Sequence, residues 1–378
     1  MTDRNWGNVY KRLGARPIIN AAGNQTVLGG SILSPAVKKA MEEASASYVE
    51  MEELLEKSGE HIASLLGVEA AYVTSGCYSA LVLCSAAVMT GNDPDKRAQL
   101  PDTTGMNDEI LLQRTQRYGF DRAFTVPGGK LNYVGDDNGT TAEQMEQAIG
   151  PNTAAVAYLV YPDQGKAMPL EQVVEIAHSH NLPVISDAAA QIYPLDYFRR
   201  NAKSADLVCF GGKYFNAPHS AGFACGRKDL IEAVTAHGFI GPRPIGRGMK
   251  LDRQEIIGLV TAIDEWFAMD HEKRSKEQDA RYDSITQELE GIQNVSTKIV
   301  RIKSHMLSTL HVIIDTETLG AQQVVRELDE GTPRIKVGAA SSDTITINAY
   351  TLNEGHEYII ARALKSLLTN YYETHRER

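Results

Sequence analysis

The sequence predicts an α/β fold, with a large domain on a mostly parallel sheet and a small α+β domain at the carboxyl end. Between about residues 68 and 240, short apolar runs alternate with helical patterns, which is typical of parallel strands covered on both faces. Over the last hundred residues, fewer strands alternate with longer helices. At 378 residues and 43% hydrophobic, the chain can bury one large core and one smaller core.

Residues 1–60 are predicted to form an extended arm followed by helices. Residues 16–23 read as extended, and Ser34 is a predicted helix cap because Pro35 follows it at the first helical position. A second helix is predicted from Glu50 to Leu66.

Residues 61–250 are predicted to form the large domain, and residues 251–378 a linker helix and the small domain. The predicted strands of the large domain are residues 71–74, 154–161, 183–187 and 205–210. One predicted helix of this domain begins at Ser79, and another spans residues 170–180. Residues 90–105 read as an exposed polar insertion. Residues 250–290 read as helical, followed by strands at 306–315 and 344–348 and helices from Gly320 and Glu354.

The composition argues against several classes of protein. A net charge of −10 disfavours nucleic-acid binding, which usually needs a basic stripe. We expect no membrane span, because no window reaches about 18 uninterrupted apolar residues. The polar amino terminus and the four cysteines without metal-like spacing predict a cytoplasmic protein with no metal site. His178 and His180 are interpreted as partners of a helix carboxyl end rather than as metal ligands.

The first candidate site is the turn of Ser75, Gly76 and Cys77, between a predicted strand and a predicted helix. A helix amino terminus offers unpaired N–H groups and a partial positive charge, which suit a phosphate. The same residues could instead form a plain helix cap.

Two further candidates end predicted strands. Asp187 comes at the carboxyl end of one strand, where α/β folds bind their ligands, although a helix cap would look the same. Lys213 follows the next strand through Gly211 and Gly212, and a buried lysine suits imine chemistry, although an exposed loop lysine is the alternative. Pyridoxal 5′-phosphate (PLP) needs an anion at its ring nitrogen, a phosphate cradle and a lysine, and these three candidates supply them in the expected order.

With these motifs, the chain resembles the selenocysteine-synthase-like branch of fold-type I PLP enzymes, which have the aspartate-aminotransferase-like fold. Within that branch it is similar to the D-glucosaminate-6-phosphate ammonia-lyase group. The segments that carry the resemblance lie at residues 19–23, 28–31, 71–76, 187–191, 206–213, 245–250 and 331–335.

The resemblance implies a role for each matching residue. Lys213 would hold PLP as a Schiff base and carry the proton, with Asp187 on the ring nitrogen. Residues 75–77 would hold the phosphate, and Gly211 and Gly212 would lie near it. Arg247 would reach the site, either from the same subunit or across a dimer interface. Arg334 would bind a substrate carboxylate, because a guanidinium can bind both oxygens. Asn24 and Arg117 are further candidates for substrate binding.

Two positions depart from the pattern of the relatives. Gln116 stands where relatives have a histidine near the cofactor ring, and Gln116 cannot titrate near neutral pH. His219 stands where relatives tend to have glutamine, and it is a candidate catalytic residue.

The resemblance implies a PLP-dependent lyase that removes the α-proton of a small amino-acid substrate and expels a β-substituent, giving a keto acid and ammonia. A racemase or epimerase, with His219 as second acid, and a β-replacement enzyme are the alternatives. A non-enzymatic scaffold or tRNA-complex partner is a further alternative, which the acidic charge disfavours. The resemblance implies at least a dimer, either a homodimer or a higher homo-oligomer, because sites of this fold are usually completed by a second subunit.

Overall fold

The computed structural model describes residues 8–161, 165–301, 308–315 and 319–374. The chain divides into a large unit, Ser31–Met269, and a small unit made of Met1–Gly30 and Asp270–Arg378. These boundaries differ from residues 60 and 250, because the helix Arg253–Ala268 packs against the helices Pro35–Ser45 and Met51–Leu66 within the large unit. The three-part division expected from the sequence stays a prediction.

The elements are numbered in chain order over the described residues. The helices are α1 Asn8–Arg12, α2 Pro35–Ser45, α3 Met51–Leu66, α4 Cys77–Thr90, α5 Pro94–Gln99, α6 Ala142–Ala148, α7 Leu170–Ser179, α8 Leu195–Ala202, α9 Lys228–Ala236, α10 Arg253–Ala268, α11 His271–Leu289, α12 Ala321–Glu330 and α13 His356–Thr374. The strands are β1 Ile18–Asn20, β2 Ala70–Thr74, β3 Glu109–Gln113, β4 Lys130–Val134, β5 Thr153–Leu159, β6 Val184–Asp187, β7 Leu207–Gly211, β8 Gly222–Gly226, β9 Val295–Arg301, β10 Ser308–Ile314, β11 Arg334–Lys336, β12 Gly338–Ala339 and β13 Thr344–Ile347.

The large unit is built on a seven-stranded sheet with the order β2-β8-β7-β6-β5-β3-β4. Strand β8 runs antiparallel to β2 and β7, and the remaining pairs are parallel. Every residue of β5 is buried, as expected for a strand covered on both faces. The predicted mostly parallel sheet is therefore confirmed.

Helix α4 is central to the core of the large unit. It is apolar on all sides, and it packs against β6, β7 and β8. A helix that is hydrophobic all round is stable only inside a core. Its amino terminus, directly after β2, is therefore held firmly against the sheet.

The small unit contains a four-stranded antiparallel sheet with the order β12-β13-β10-β9. Residues of β10 alternate between buried and half-buried, so one face of this sheet packs on α11, α12 and α13 while the other is more open. A separate two-stranded parallel sheet joins β1 to β11. Strands β9, β11 and β12 are short or weakly apolar, and the sequence did not indicate them.

Two expectations about local structure need correction. Residues 90–105 are not simply an exposed loop: Asp93 caps α5 through the N–H groups of Asp95 and Lys96, and Leu100 is buried. The helical run predicted over residues 250–290 is two helices, because Asp270 caps a new helix by accepting from the N–H of Lys273. Residues 306 and 307 of the predicted strand lie outside the described residues.

Candidate active site

The carboxyl ends of β6 and β7 bring together the two residues predicted to hold the cofactor. Asp187 ends β6 and lies opposite Cys209 of the parallel strand β7. Strand β7 leads into a short 3-10 turn, Gly212–Phe215, that contains Lys213. The strand order therefore places both side chains at one edge of the sheet, where α/β folds form their ligand crevice.

The turn between β2 and α4 is shaped by two glycines. Gly76 caps α4 with a φ of 87°, a left-handed value that favours glycine. Gly222, on the neighbouring strand β8, approaches it closely: a Cβ there would lie 2.8 Å from the Gly76 Cα and 2.6 Å from the Phe210 carbonyl oxygen. A side chain at position 222 would clash with the turn, so glycine there permits this close approach of β8 to the amino terminus of α4.

Asp187 is 6% exposed and accepts three hydrogen bonds. The Tyr118 hydroxyl donates to Oδ2 at 2.6 Å, while the N–H of Ala189 and the thiol of Cys77 donate to Oδ1 at 3.1 and 3.4 Å. Among the described residues, no lysine, arginine or histidine forms an ion pair with this carboxylate. Burial raises the pKa of Asp187, and the three donors oppose that rise.

The two side chains that donate to Asp187 keep their protons. Burial, followed by the neighbouring charge of Asp187, raises the pKa of the Tyr118 hydroxyl far above its ordinary value. The same two causes raise the pKa of the Cys77 thiol. Both groups therefore act as hydrogen-bond donors to Asp187.

Lys213 is half-buried, and its Nζ lies 5.1 Å from the centre of the Tyr214 ring. Burial lowers the pKa of Lys213, because a charged ammonium is less well solvated there. The Lys213 charge in turn acts on Cys77 and on His219. His219 is exposed, and partial burial followed by the charge of Lys213 lowers its pKa.

Gly211 and Gly212 are buried, and their N–H groups donate to the carbonyl oxygens of Ala189 and Ala221. A Cβ at Gly212 would meet Leu259 Cδ1 at 2.7 Å. These glycines therefore serve close packing of the turn before Lys213. Their predicted place beside the cofactor phosphate stays a prediction.

Gln116 is buried, and its amide is bonded to the backbone of Leu159 in both directions. Its Nε2 donates to the Leu159 carbonyl oxygen at 2.9 Å, and its Oε1 accepts from the Leu159 N–H at 3.3 Å. The side chain thus extends the pairing at the end of β5. Its predicted contact with the cofactor is not tested, whereas this structural role is clear.

The two arginines predicted near the site in the large unit are exposed. Arg117 stacks on Tyr133 with 4.5 Å between the guanidinium carbon and the ring centre. Arg247 donates to the carbonyl oxygen of Phe239 at 3.2 Å. Their predicted roles toward substrate and cofactor stay predictions.

Two predicted substrate residues belong to the small unit. Arg334 pairs with Asp329, its Nη2 lying 2.8 Å from Oδ1, and Lys336 contacts the other oxygen of that carboxylate at 2.7 Å. Asn24 donates to the Gly30 carbonyl oxygen at 3.1 Å. Substrate binding by either residue stays a prediction.

Tyr118 and Gly222 are the site residues that sequence reasoning missed. Tyr118 follows β3 directly after Gln116 and Arg117, which the family pattern does single out, but Tyr118 itself is not part of that pattern, and the order of strands in the sheet brings it beside β6. The signal for Gly222 was present, since it is a glycine in an otherwise apolar strand, a pattern that often marks a close backbone approach.

The described residues hold no group of three or more side chains arranged to bind a metal ion. In the same part of the chain, no helix is long and apolar enough to cross a membrane.

Comparison with known proteins gives consistent results. The chain is 30% identical over 372 residues to D-glucosaminate-6-phosphate ammonia lyase of Salmonella typhimurium, covering 95% of this chain and 98% of that protein. It is also 30% identical over 377 residues to 5'-C-glycyluridine monooxygenase-decarboxylase of a Streptomyces species, covering 96% and 92%. A solved structure of D-glucosaminate-6-phosphate ammonia-lyase matches with a TM-score of 0.86 and 28% identity over 97% of this chain and all of that chain.

Solved structures that share the fold confirm the predicted aspartate-aminotransferase-like class, and the relatives confirm the resemblance drawn from the motifs. The family model described as L-seryl-tRNA selenium transferase matches residues 18–362. The chain therefore belongs to the L-seryl-tRNA selenium transferase (SelA) family.

Proposed function

We propose that this protein is a PLP-dependent lyase that converts a small amino-acid substrate into a keto acid and ammonia. The observation that carries the proposal is Asp187, a buried carboxylate without an ion-pair partner among the described lysines, arginines and histidines. An uncompensated buried charge is costly unless a ligand completes it. The protonated ring nitrogen of PLP is such a ligand.

The residues present fit the three functional groups of PLP. The amino terminus of α4, with Gly76 kept accessible by Gly222, suits the phosphate. Asp187 suits the ring nitrogen, and Lys213 at the end of the neighbouring strand offers the amine that would bind the aldehyde. Each group would be held by a different element of the large unit: α4, β6 and the turn after β7.

When bound, PLP withdraws electrons from the substrate α-carbon and so makes its proton acidic. Lys213 is suited to take that proton at Nζ, because its lowered pKa raises the fraction of neutral amine near pH 7. Asp187 keeps its negative charge opposite the ring nitrogen, aided by the three donors around it.

His219 favours the lyase over a racemase. A racemase needs a second acid on the opposite side of the α-carbon, and an acid must be protonated at working pH. Partial burial and the charge of Lys213 lower the pKa of His219, so a smaller fraction of its imidazole carries the proton that such an acid must supply.

The relatives suggest which substrates to test first. D-Glucosaminate 6-phosphate is the leading candidate, because a protein of that activity aligns over almost all of both chains. A tRNA substrate is disfavoured by the net charge of −10. Oxidative decarboxylation is the second candidate reaction, because the Streptomyces relative is equally similar.

Cofactor binding can be tested with purified protein. Addition of PLP should produce an absorption band at a longer wavelength than the ultraviolet absorption of the protein itself. The band should survive dialysis and be absent in Lys213→Ala. Lys96→Ala, which removes an exposed lysine on α5, is the matched control and should behave as the unsubstituted protein does. A protein that takes up no PLP, or one whose band persists in Lys213→Ala, would contradict the proposal.

The reaction can be tested with D-glucosaminate 6-phosphate and with D- and L-serine. Equal yields of ammonia and keto acid support the lyase. Loss of optical activity without ammonia would indicate a racemase, and release of CO₂ with consumption of O₂ would indicate the decarboxylase reaction. Either of the last two outcomes would overturn the lyase proposal while keeping the cofactor.

We further propose a cytoplasmic homodimer. The cysteines are free thiols, which suits a reducing compartment. Tyr78 and Phe120 are exposed aromatic residues in the same unit as the site, and a second copy would cover such residues. Light scattering on the PLP-loaded protein should give twice the monomer mass, and a monomer would contradict this part of the proposal.

A further inference from the structure

We propose that Tyr118 is a positioning residue that holds Asp187 as a fixed carboxylate, with Cys77 as a weaker second donor. This inference rests on the proposed function, because an ionised Asp187 is useful only opposite a protonated cofactor ring. It adds Tyr118 to the cofactor site, and it gives Cys77, already a candidate for binding the phosphate, a second role.

The geometry distinguishes Tyr118 from the other donors. Its hydroxyl is the single described protein donor to Oδ2, and the 2.6 Å distance lies in the range of charge-assisted O–H···O⁻ bonds. Oδ1 has two donors at longer distances, the Ala189 N–H and the Cys77 thiol. A thiol is a weak donor, so the Tyr118 bond is the strongest of the three.

The donors come from three elements, which fixes both carboxylate oxygens. Tyr118 lies in the segment after β3, Cys77 begins α4, and Ala189 follows β6. The carboxylate cannot rotate without breaking bonds to at least two of these elements. Tyr118 packs edge-on against Phe120 with 6.1 Å between ring centres, and this contact helps to fix the position of its ring.

The charged and titratable groups that face Asp187 are few. Cys77 and Tyr118 stay protonated, because the pKa of each is raised by burial and by Asp187 itself. Cys209, on the adjacent strand β7, is also a buried thiol with a raised pKa. Lys213 acts on Cys77 but is not paired with Asp187. Neutral donors are therefore the main groups in the protein that oppose the rise in the pKa of Asp187 caused by its burial.

The consequence concerns one proton. A carboxylate that accepts strong hydrogen bonds is a weaker base, so a proton shared with a ring nitrogen stays on the nitrogen. Without the Tyr118 hydroxyl, Asp187 becomes a stronger base and draws the proton toward itself. Tyr118 thus determines how well the ring can withdraw electrons, although it touches neither the ring nor the substrate.

The first test uses protein without PLP, so that it does not depend on the proposed function. The infrared band of the protonated Asp187 carboxyl, identified by its loss in Asp187→Asn, is followed against pH. In Tyr118→Phe the band should appear at a pH about one unit higher than in the unsubstituted protein, as expected for loss of one bond to a charged acceptor. Cys77→Ala should shift it in the same direction by less.

Tyr133→Phe is the matched control. The Tyr133 hydroxyl donates to Asp121 at 3.0 Å, so this substitution also removes one tyrosine–aspartate bond, and the Asp187 band should not move. Circular dichroism checks that each variant is folded. If Tyr118→Phe proves unstable, the smaller shift in Cys77→Ala still tests the proposal.

The second test uses PLP labelled with ¹⁵N in the ring. In Tyr118→Phe the ¹⁵N resonance should move toward that of an unprotonated pyridine, which a purely structural loss of stability would not produce. An unchanged Asp187 titration or an unchanged ¹⁵N resonance in folded Tyr118→Phe would overturn the proposal. A shifted Asp187 titration in a protein that takes up no PLP would keep the role of Tyr118 and reject the proposed function.

Discussion

Asp187 and Asp206 are buried to the same extent, 6% and 5% exposed, but lie at opposite edges of the same sheet. Asp187 ends β6, whereas Asp206 directly precedes the parallel strand β7. Asp206 is bonded to His178 at 2.9 Å, to Arg227 at 3.2 Å and to the Val184 N–H at 2.8 Å. Asp187 has only uncharged donors.

The difference shows how a functional carboxylate can be told from a structural one at equal burial. A buried charge that the protein itself compensates with cations stabilises the fold and leaves nothing for a ligand to complete. A buried charge held only by neutral donors remains available to a cation that arrives from outside. The position at the carboxyl edge of the sheet agrees with this distinction.

The substitution Asp187→Asn is expected to have the largest effect, and that effect is on activity. Removal of the charge opposite the ring nitrogen should lower kcat/KM by roughly 10²–10³-fold, the usual cost of losing a preorganised electrostatic contact in an active site. Stability should change little, because no described ion pair is broken. Steady-state kinetics and thermal unfolding of the same preparation check both parts. A large fall in Tm would show that Asp187 is structural, as Asp206 is.

The opposite result is expected for Asp206→Asn. The Arg227 guanidinium, the His178 ring and a backbone N–H lose their buried acceptor, which should lower the free energy of unfolding by about 3 kcal/mol. Arg227 keeps its contact with Asp229 at 2.7 Å, so the loss should be partial. Urea unfolding measures the stability, and kcat of the folded fraction should stay within about twofold. A stable but inactive variant would break the comparison.

A smaller effect is expected from Gly222→Ala, which tests the phosphate cradle next to Asp187. The new Cβ would press against Gly76 and the Phe210 carbonyl oxygen, and overpacking of this kind costs about 1–3 kcal/mol. The amino terminus of α4 should shift, so the affinity for PLP should fall about tenfold. Gly291→Ala, at a glycine with open space around it in the small unit, controls for loss of stability at a glycine. Equal PLP affinity in both variants would argue against a phosphate site at this turn.

Much of the large unit could be predicted from the sequence, because buried parallel strands and capped helices leave local patterns. The caps at Ser34 and Pro35 and the strand ending at Asp187 are visible without a structure. Strand β4 was not predicted, since its residues alternate between exposed and half-buried without a strong apolar run. The helix α5 has a readable signal in Asp93 and Pro94, a capping residue followed by proline, although the polar composition of residues 90–105 predicts an exposed insertion.

Contacts between distant segments were beyond the sequence. The bond from Tyr118 to Asp187 depends on strands β3, β5 and β6 lying side by side, and nothing in residues 114–120 encodes that order. The pairing of the Gln116 amide with the Leu159 backbone is likewise visible only in the structure, and its place near the cofactor ring stays a prediction. Arg334 likewise has an acidic partner, Asp329, five residues earlier in the sequence, but only the structure shows the contact.

The pKa values of Arg227 and Lys213 shift in opposite directions, and this difference provides a further test of the comparison between the two aspartates. Bonding to Asp229, and then to Asp206, raises the pKa of Arg227, whereas burial lowers the pKa of Lys213. A lowered pKa means that Lys213 loses its proton at a lower pH than an ordinary lysine, so covalent attachment of PLP should titrate with a midpoint below 10.5. Borohydride trapping of PLP on apo protein at a series of pH values, read by mass spectrometry of the Lys213 peptide, measures that midpoint.

If burial alone sets the midpoint of PLP attachment, Asp187→Asn should leave it unchanged. If Lys213 were paired with Asp187 as Arg227 is with Asp206, removing the carboxylate would lower it further, and the distinction between the two aspartates would fail.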